Sequence, residues 1–351
     1  MTDIFIKLKE AISKEHKYAV YAKPGETTLT AVFQTHNNTQ QEPDSKKGFI
    51  FAPFSGGETV FIPYQSADVI TASIPDFSYT NTNVSNSIPT DNGKEAFENL
   101  VAKCVAVIKE GRFDKLVTSR KESIQLNDIE PIDIFKRLLT TYPNAFRYCF
   151  YSKETGLWMG ATPEQLLKIE HNTLHTVALA GTRLNSIEPT TQWPEKEQQE
   201  QQFVTDYIVN QLVPFTVTTT KTAPYTATAG NLQHIKTDIS ALIAPDINTL
   251  HIINTLHPTP AVCGLPKQEA LNYLIEKEGY NREYYAGYLG ELNHDFADNQ
   301  PKTDLFVNLR CMKIEGKTAH LYIGCGITAN SIPENEYQET VNKSMTMKKL
   351  F

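Results

Sequence analysis

Ala145-Phe-Arg-Tyr-Cys-Phe-Tyr-Ser152 and Gly156-Leu-Trp-Met-Gly-Ala161 are two short strand-like runs, rich in the aromatic residues that suit a pleated surface. More follow: Leu166-Leu-Lys-Ile-Glu-His171, Leu174-His-Thr-Val-Ala-Leu-Ala-Gly181, Phe306-Val-Asn-Leu-Arg-Cys-Met-Lys-Ile314 and Ala319-His-Leu-Tyr-Ile-Gly-Cys-Gly-Ile327. Upstream, Phe113-Asp-Lys-Leu-Val-Thr-Ser-Arg120 runs on to Leu126 with an alternation that puts Lys115, Val117 and Ser119 on one face of a strand. Helical spacing marks residues 94–110, 195–212, 267–278 and 333–350. Many strands with interspersed helices and no regular strand–helix alternation predict an α+β protein. Its sheets should be large and mainly antiparallel, with helices packed outside.

Bulk properties narrow the function classes. The chain has 351 residues, 40% of them hydrophobic and 21% charged, a balance that suits a packed globular protein. A net charge of -7 with no basic stripe argues against general nucleic-acid binding. Cys104, Cys149, Cys263, Cys311 and Cys325 are odd in number and widely spaced, with no CxxC pair. That pattern predicts reduced thiols in a cytosol rather than a disulfide framework or a zinc site. Charges interrupt the apolar residues of the first 25 positions, which read as an amphipathic helix running into a strand, so no signal peptide is expected. No apolar run reaches the length of a membrane span. Polar stretches at 40–47 and 81–93 read as loops, the second dividing a less informative part, 1–93, from 94–351 within one structural domain.

Two helices repeat one device. Glu197 and Glu200 lie three apart on one face, with Val204 and Ile208 continuing it inward; Glu336 and Glu339 do the same, with Lys343 one turn beyond. Carboxylates on adjacent turns repel unless a cation lies between them, and Mg²⁺ suits a few carboxylates plus water and an anionic substrate. On pattern alone, each glutamate-rich helix reads as solvated surface.

The order of the motifs changes that reading. Phe113-Asp-Lys-Leu-Val-Thr-Ser-Arg120 is followed by Gly160-Ala-Thr-Pro-Glu-Gln-Leu-Leu167, Leu179-Ala-Gly-Thr-Arg183 and Glu197-x-x-Glu200. Next come Leu232-Gln-His-Ile-Lys-Thr237, Leu256-His-Pro-Thr-Pro-Ala-Val-Cys-Gly264, Tyr285-Ala-Gly, Arg310, Gly324-Cys-Gly326 and Glu336-x-x-Glu339-Thr-x-Asn-Lys343. This series, from about Lys94 to the end, resembles the chorismate-utilising enzymes: isochorismate, salicylate, anthranilate and aminodeoxychorismate synthases. The resemblance implies their fold, a small-molecule substrate and Mg²⁺.

Chorismate carries two carboxylates, a ring hydroxyl and an enolpyruvyl ether. The resemblance makes Glu200 and Glu339 direct Mg²⁺ ligands, with Glu197 and Glu336 acting through water and Lys343 assisting at the ring carboxylate. It gives the enolpyruvyl carboxylate to Tyr285, Arg310 and the backbone at Gly324 and Gly326. An arginine can grip a carboxylate by two bonds, and glycine admits a close backbone approach. Ala180, Gly181, Thr182 and His234 should line the ring. Lys115 is implied as the base that activates water for attack at C2, and Glu164 as the acid that protonates the departing C4 hydroxyl. Those roles require a lysine pKa lowered and a glutamate pKa raised. Without the resemblance, Lys115 reads as an exposed strand lysine, Glu164 as a turn residue after Pro163, and His234 as a core histidine.

Within the family, Leu-Ala-Gly-Thr in place of Pro-Ile-Lys-Gly-Thr, together with Lys115 and His257-Pro-Thr-Pro-Ala-Val262, favours water attack and isochorismate. Salicylate synthase, which goes on to eliminate pyruvate, stays open, as does a silent protein that only binds an anionic metabolite. No glutaminase subunit is expected, and the family resemblance implies a monomer serving menaquinone or siderophore synthesis. The chain departs from many relatives in its short N-terminal part, in Gln201 where a histidine often follows the metal-binding glutamate, and in a polar insertion at 293–302. No tryptophan-feedback pocket is expected.

Overall fold

The computed structural model describes residues 3–35, 47–77, 93–126, 129–184, 192–229 and 232–351. The polar stretches at 40–47 and 81–93 therefore lie outside the described residues except at Lys47 and Gly93. Seven α-helices occur among the described residues: α1 (Asp3–Ser13), α2 (Lys94–Lys109), α3 (Pro131–Thr141), α4 (Glu195–Leu212), α5 (Thr249–Leu256), α6 (Lys267–Lys277) and α7 (Pro333–Lys348). The chain is α+β, built on two nine-stranded sheets whose described pairings are all antiparallel.

The first sheet runs, in spatial order, Gly264–Leu265, Lys115–Gln125, Thr318–Ile327, Cys311–Glu315, Gly156–Thr162, Phe146–Ser152, Tyr18–Ala22, Thr28–Gln34 and Ala67–Ser73. The second runs Thr216–Lys221, Leu232–Ile243, Thr173–Leu184, Gln165–Glu170, Lys302–Val307, Tyr288–Leu292, Gly48–Ala52 and Val60–Pro63, with Tyr225–Ala229 also pairing onto Leu232–Ile243. Residues before 93 thus supply strands to both sheets.

The two-residue period of a strand explains the burial. In Phe146–Ser152, Phe146, Tyr148 and Phe150 enter the core between the sheets, against Phe49 and Phe51 of the second sheet. Cys149, on the opposite face, joins a second core closed by Ile4, Phe5 and Leu8 of α1 and Ile134, Phe135 and Leu138 of α3. Both faces of the first sheet are covered, so the run reads as almost continuously apolar.

One sequence expectation is corrected. Residues 306–314, read as one strand-like run, are divided between the sheets: Lys302–Val307 belongs to the second and Cys311–Glu315 to the first. Buried Asn308 makes the crossing, donating through Nδ2 to the Tyr284 carbonyl at 2.8 Å and accepting from the Tyr148 hydroxyl at 2.5 Å. Arg310 then takes a left-handed φ of 47°, which turns the chain into the first sheet. An apolar pattern is blind to such a turn because both halves remain buried.

Candidate active site

A single cavity collects side chains from both sheets and two helices. Val117, Gly324, Cys325 and Gly326 come from the first sheet, and Leu179, Ala180, Gly181 and His234 from the second. Glu197 and Glu200 come from α4, Glu339 and Lys343 from α7, and the remaining wall from connections carrying Pro163, Glu164, Ala261, Val262, Tyr285, Leu309 and Arg310.

Packing aims the two glutamate helices. Val204, Ile208 and Leu212 of α4 are buried, and the Gln201 amide donates to the Thr205 and Thr237 hydroxyls, each at 2.8 Å. This anchors α4 to the Leu232–Ile243 strand and turns Glu197 and Glu200 to the cavity. Helix α7 buries a polar row, Glu336, Thr340 and Ser344, with Arg120 donating to the Thr340 hydroxyl at 2.7 Å. Gly181 has a φ of 70°, and a Cβ there would press on the Glu197 side chain; a Cβ at Gly326 would run into Glu200 Oε1. Both glycines let α4 lie close to the sheets.

Charge is dense here. Lys115 Nζ lies 2.7 Å from Glu200 Oε1, and Lys343 Nζ lies 2.6 Å from Glu339 Oε1 and 3.0 Å from the Gly324 carbonyl. Burial raises the Glu164 pKa to about 7, against the opposing pull of Lys115, Arg310 and Lys343. Burial, reinforced by Arg310 and Lys343, lowers that of His234 to about 4, so its ring is neutral near pH 7. With the Gly181 carbonyl 3.0 Å away as acceptor, Nδ1 carries the proton and Nε2 is left as an acceptor. Burial likewise lowers the Arg310 pKa, while Tyr285, Glu339 and Glu164 counter it.

Of the fifteen residues singled out from sequence, twelve line the cavity: Glu164, Ala180, Gly181, Glu197, Glu200, His234, Tyr285, Arg310, Gly324, Gly326, Glu339 and Lys343. The Thr182 side chain lies outside what is described. Lys115 is buried behind Glu200, and Glu336 is buried one turn before Glu339; neither lines the cavity. Sequence reasoning gave no role to Val117, Pro163, Leu179, Ala261, Val262, Leu309 and Cys325, which also line it. Most sit inside the quoted motifs; only the neighbour of Arg310 marks Leu309.

Does the donor set suit a hard divalent cation? Glu197, Glu200 and Glu339 supply carboxylate oxygens to one cavity, and Glu197 Oε2 is buried with no hydrogen-bond partner among the described residues. Among the described residues, however, no three His, Cys, Asp or Glu side chains converge as a ready metal cluster. The two lysines explain this, since each draws one glutamate to itself. The oxygen chemistry and the orphaned acceptor fit Mg²⁺.

The profile of the family described as "Chorismate binding enzyme" matches residues 63–351. The chain belongs to the chorismate binding enzyme family. A relative of this chorismate binding enzyme, the salicylate biosynthesis isochorismate synthase of Pseudomonas aeruginosa, is 32% identical over 264 residues, covering 73% of this chain and 54% of that protein. Isochorismate synthase MenF of Escherichia coli is 30% identical over 270 residues, covering 73% of this chain and 60% of the relative. The chain thus spans a little over half the length of the curated relatives it matches. For the fold, the solved structure of MenF from Escherichia coli superposes with a TM-score of 0.78 at 20% identity, over 95% of this chain and 88% of that one. DhbC from Bacillus anthracis gives 0.78 at 23% identity, over 98% of each chain.

Proposed function

We propose that this chorismate binding enzyme is an Mg²⁺-dependent isochorismate synthase. One observation carries the reading: a buried carboxyl, Glu164, held near pKa 7, faces a cavity that also presents Arg310 and Lys343. Such a carboxyl keeps a proton to give at neutral pH. The relatives named isochorismate synthase support the same product.

Arg310 and Tyr285, with the backbone at Gly324 and Gly326, would hold the enolpyruvyl carboxylate. Lys343 would serve the ring carboxylate, and Ala180, Gly181, Thr182 and neutral His234 would flank the ring. Lys115 would take a proton from water as its oxygen bonds to C2. The ring double bonds shift, the C4–O bond breaks, and Glu164 protonates the leaving hydroxyl, so one water is consumed and one released. Glu200 and Glu339, supported by Glu197 and Glu336, would hold Mg²⁺, which would neutralise carboxylate charge and help to orient the substrate. The five cysteines are free and buried, and among the described residues no helix is long and apolar enough to cross a membrane, which supports a cytosolic setting. We further propose that the chain acts as a monomer without a glutaminase subunit, in menaquinone or siderophore synthesis.

The test is product analysis of the purified protein with chorismate, with and without Mg²⁺, beside Lys115→Ala and Glu164→Ala. Isochorismate without pyruvate, dependent on Mg²⁺ and lost in both variants, is the expected result. Salicylate with pyruvate would move the activity to the pyruvate-eliminating branch. Mg²⁺-dependent chorismate binding without turnover would leave a binding protein and remove the roles of Lys115 and Glu164.

A further inference from the structure

Arg282 and Glu278 do not line the cavity, yet they grip two segments that do. Each side chain is only 2% exposed. Arg282 donates from Nε to Glu278 Oε2 at 2.7 Å and from Nη2 to Glu278 Oε1 at 2.5 Å. The same guanidinium reaches the Val262 carbonyl from Nη1 at 2.8 Å and the Val117 carbonyl from Nη2 at 2.5 Å. Glu278 Oε1 also accepts from the Ser119 backbone at 2.8 Å and the Ser119 hydroxyl at 3.1 Å.

Val117 and Val262 both belong to the cavity wall, and Val117 lies two residues from Lys115 on the same strand. The strand and the loop already meet through the Val117 amide and the Cys263 carbonyl at 2.7 Å. A planar guanidinium bonded to both neighbouring carbonyls adds a fixed distance between them, which a flexible ammonium with one direction of approach would not. The Arg282 carbonyl accepts from the Tyr285 amide at 2.9 Å, so the same residue also locates a side chain in the cavity. Buried ion pairs contribute little to net stability compared with apolar residues of like volume. What this one supplies is geometry.

We infer that the Arg282–Glu278 pair is a positioning device, holding the Lys115–Gln125 strand and the 257–263 loop at the separation that places a bound substrate against Lys115. The inference rests on the proposed isochorismate-forming reaction. Of the proposed carboxylate anchors the pair touches only Tyr285, through its backbone and ring, and neither cationic anchor, Arg310 or Lys343, is among its contacts, so the alignment of reacting groups is affected more than binding.

The test compares Arg282→Lys with Arg147→Lys. Arg147 is an equally buried arginine that bonds backbone carbonyls, with none of its contacts in the cavity wall. For Arg282→Lys, kcat should fall roughly 10- to 100-fold per folded molecule, with KM for chorismate within about threefold of wild type, because small misplacements cost catalysis steeply. Arg147→Lys should lose thermal stability but keep kcat. An unchanged kcat in Arg282→Lys, a change confined to KM, or an equal fall in Arg147→Lys would overturn the inference. Should Arg282→Lys not fold, Glu278→Gln is read by the same criteria. If wild type makes no isochorismate, the proposed function fails and the pair is judged from crystal structures of wild type and Glu278→Gln. A changed Val117–Val262 separation then supports the device, and an unchanged one overturns it.

Discussion

Glu164 meets two demands at once, a place in the cavity wall and a carboxyl still partly protonated at neutral pH. If it is the proton donor, activity should fall as pH rises through about 7, because the donor form disappears there. Glu164→Gln should lower kcat by about two to four orders of magnitude and abolish that alkaline limb, as read from pH–rate profiles. The same residue makes a stability prediction of definite sign. Its folded pKa of about 7 lies above the ordinary 4.5, so the folded state holds the proton more tightly. That stabilisation is fully present below pH 4.5 and is lost as pH rises through 7, a swing on the order of 3 kcal/mol. Glutamine does not titrate. Denaturant unfolding should therefore show Glu164→Gln gaining on wild type between pH 5 and 8; a constant difference would mean that the carboxyl is ionised throughout.

Helix α4 shows how an element converts packing into ligand placement. Gln201 ties it to Thr237, and the same turn carries Glu200. Gln201→Leu removes a buried amide and strands the Thr205 and Thr237 hydroxyls, at a cost of about 1–3 kcal/mol. It should also raise the Mg²⁺ concentration for half-maximal activity by about tenfold or more, as loss of a ligand's supporting contact does. A lower melting temperature with an unchanged Mg²⁺ requirement would separate helix stability from ligand placement. The bounds of α4 were legible in the sequence because Val204 and Ile208 mark its inner face. Helix α7 has little apolar contrast, burying Glu336, Thr340 and Ser344, so its paired glutamates pointed to it while its buried side stayed hidden. The motifs likewise led to most of the cavity, but not to the Lys115–Glu200 ion pair, which joins elements far apart in the chain. Nor could periodicity show that Tyr18–Ala22 pairs with Phe146–Ser152, since alternation tells which face is buried and not which strand lies beside it.

Over the whole molecule, the two sheets are joined by charge as well as by the apolar core. Lys23, just past the Tyr18–Ala22 strand of the first sheet, lies 2.7 Å from both Glu291 Oε2 of the second sheet and Asp295 Oδ2. Tyr21 donates to Glu291 at 2.5 Å, and Lys302 lies 3.1 Å from Asp295 Oδ2. None of these groups lines the cavity. Partners hold Asp295 below its ordinary pKa, led among the lowering influences by the Lys23 hydrogen bond against the opposing effect of burial. Its contribution to stability is thus present above pH 3.8 and is lost as pH falls through the lowered value. Removing the central cation leaves Glu291 without its lysine and Asp295 with Lys302 and the Ala297 and Asp298 amides, in an interior where an uncompensated charge is expensive. Lys23→Met should consequently lower unfolding free energy by about 3–5 kcal/mol, measured by urea denaturation at pH 7. Because the cluster lies off the cavity wall, KM for chorismate and kcat of the folded fraction should stay at wild-type values. A fall in kcat without a loss of stability would mean that the sheet-to-sheet contact reaches the active site, and that the two ends of the molecule do not act independently.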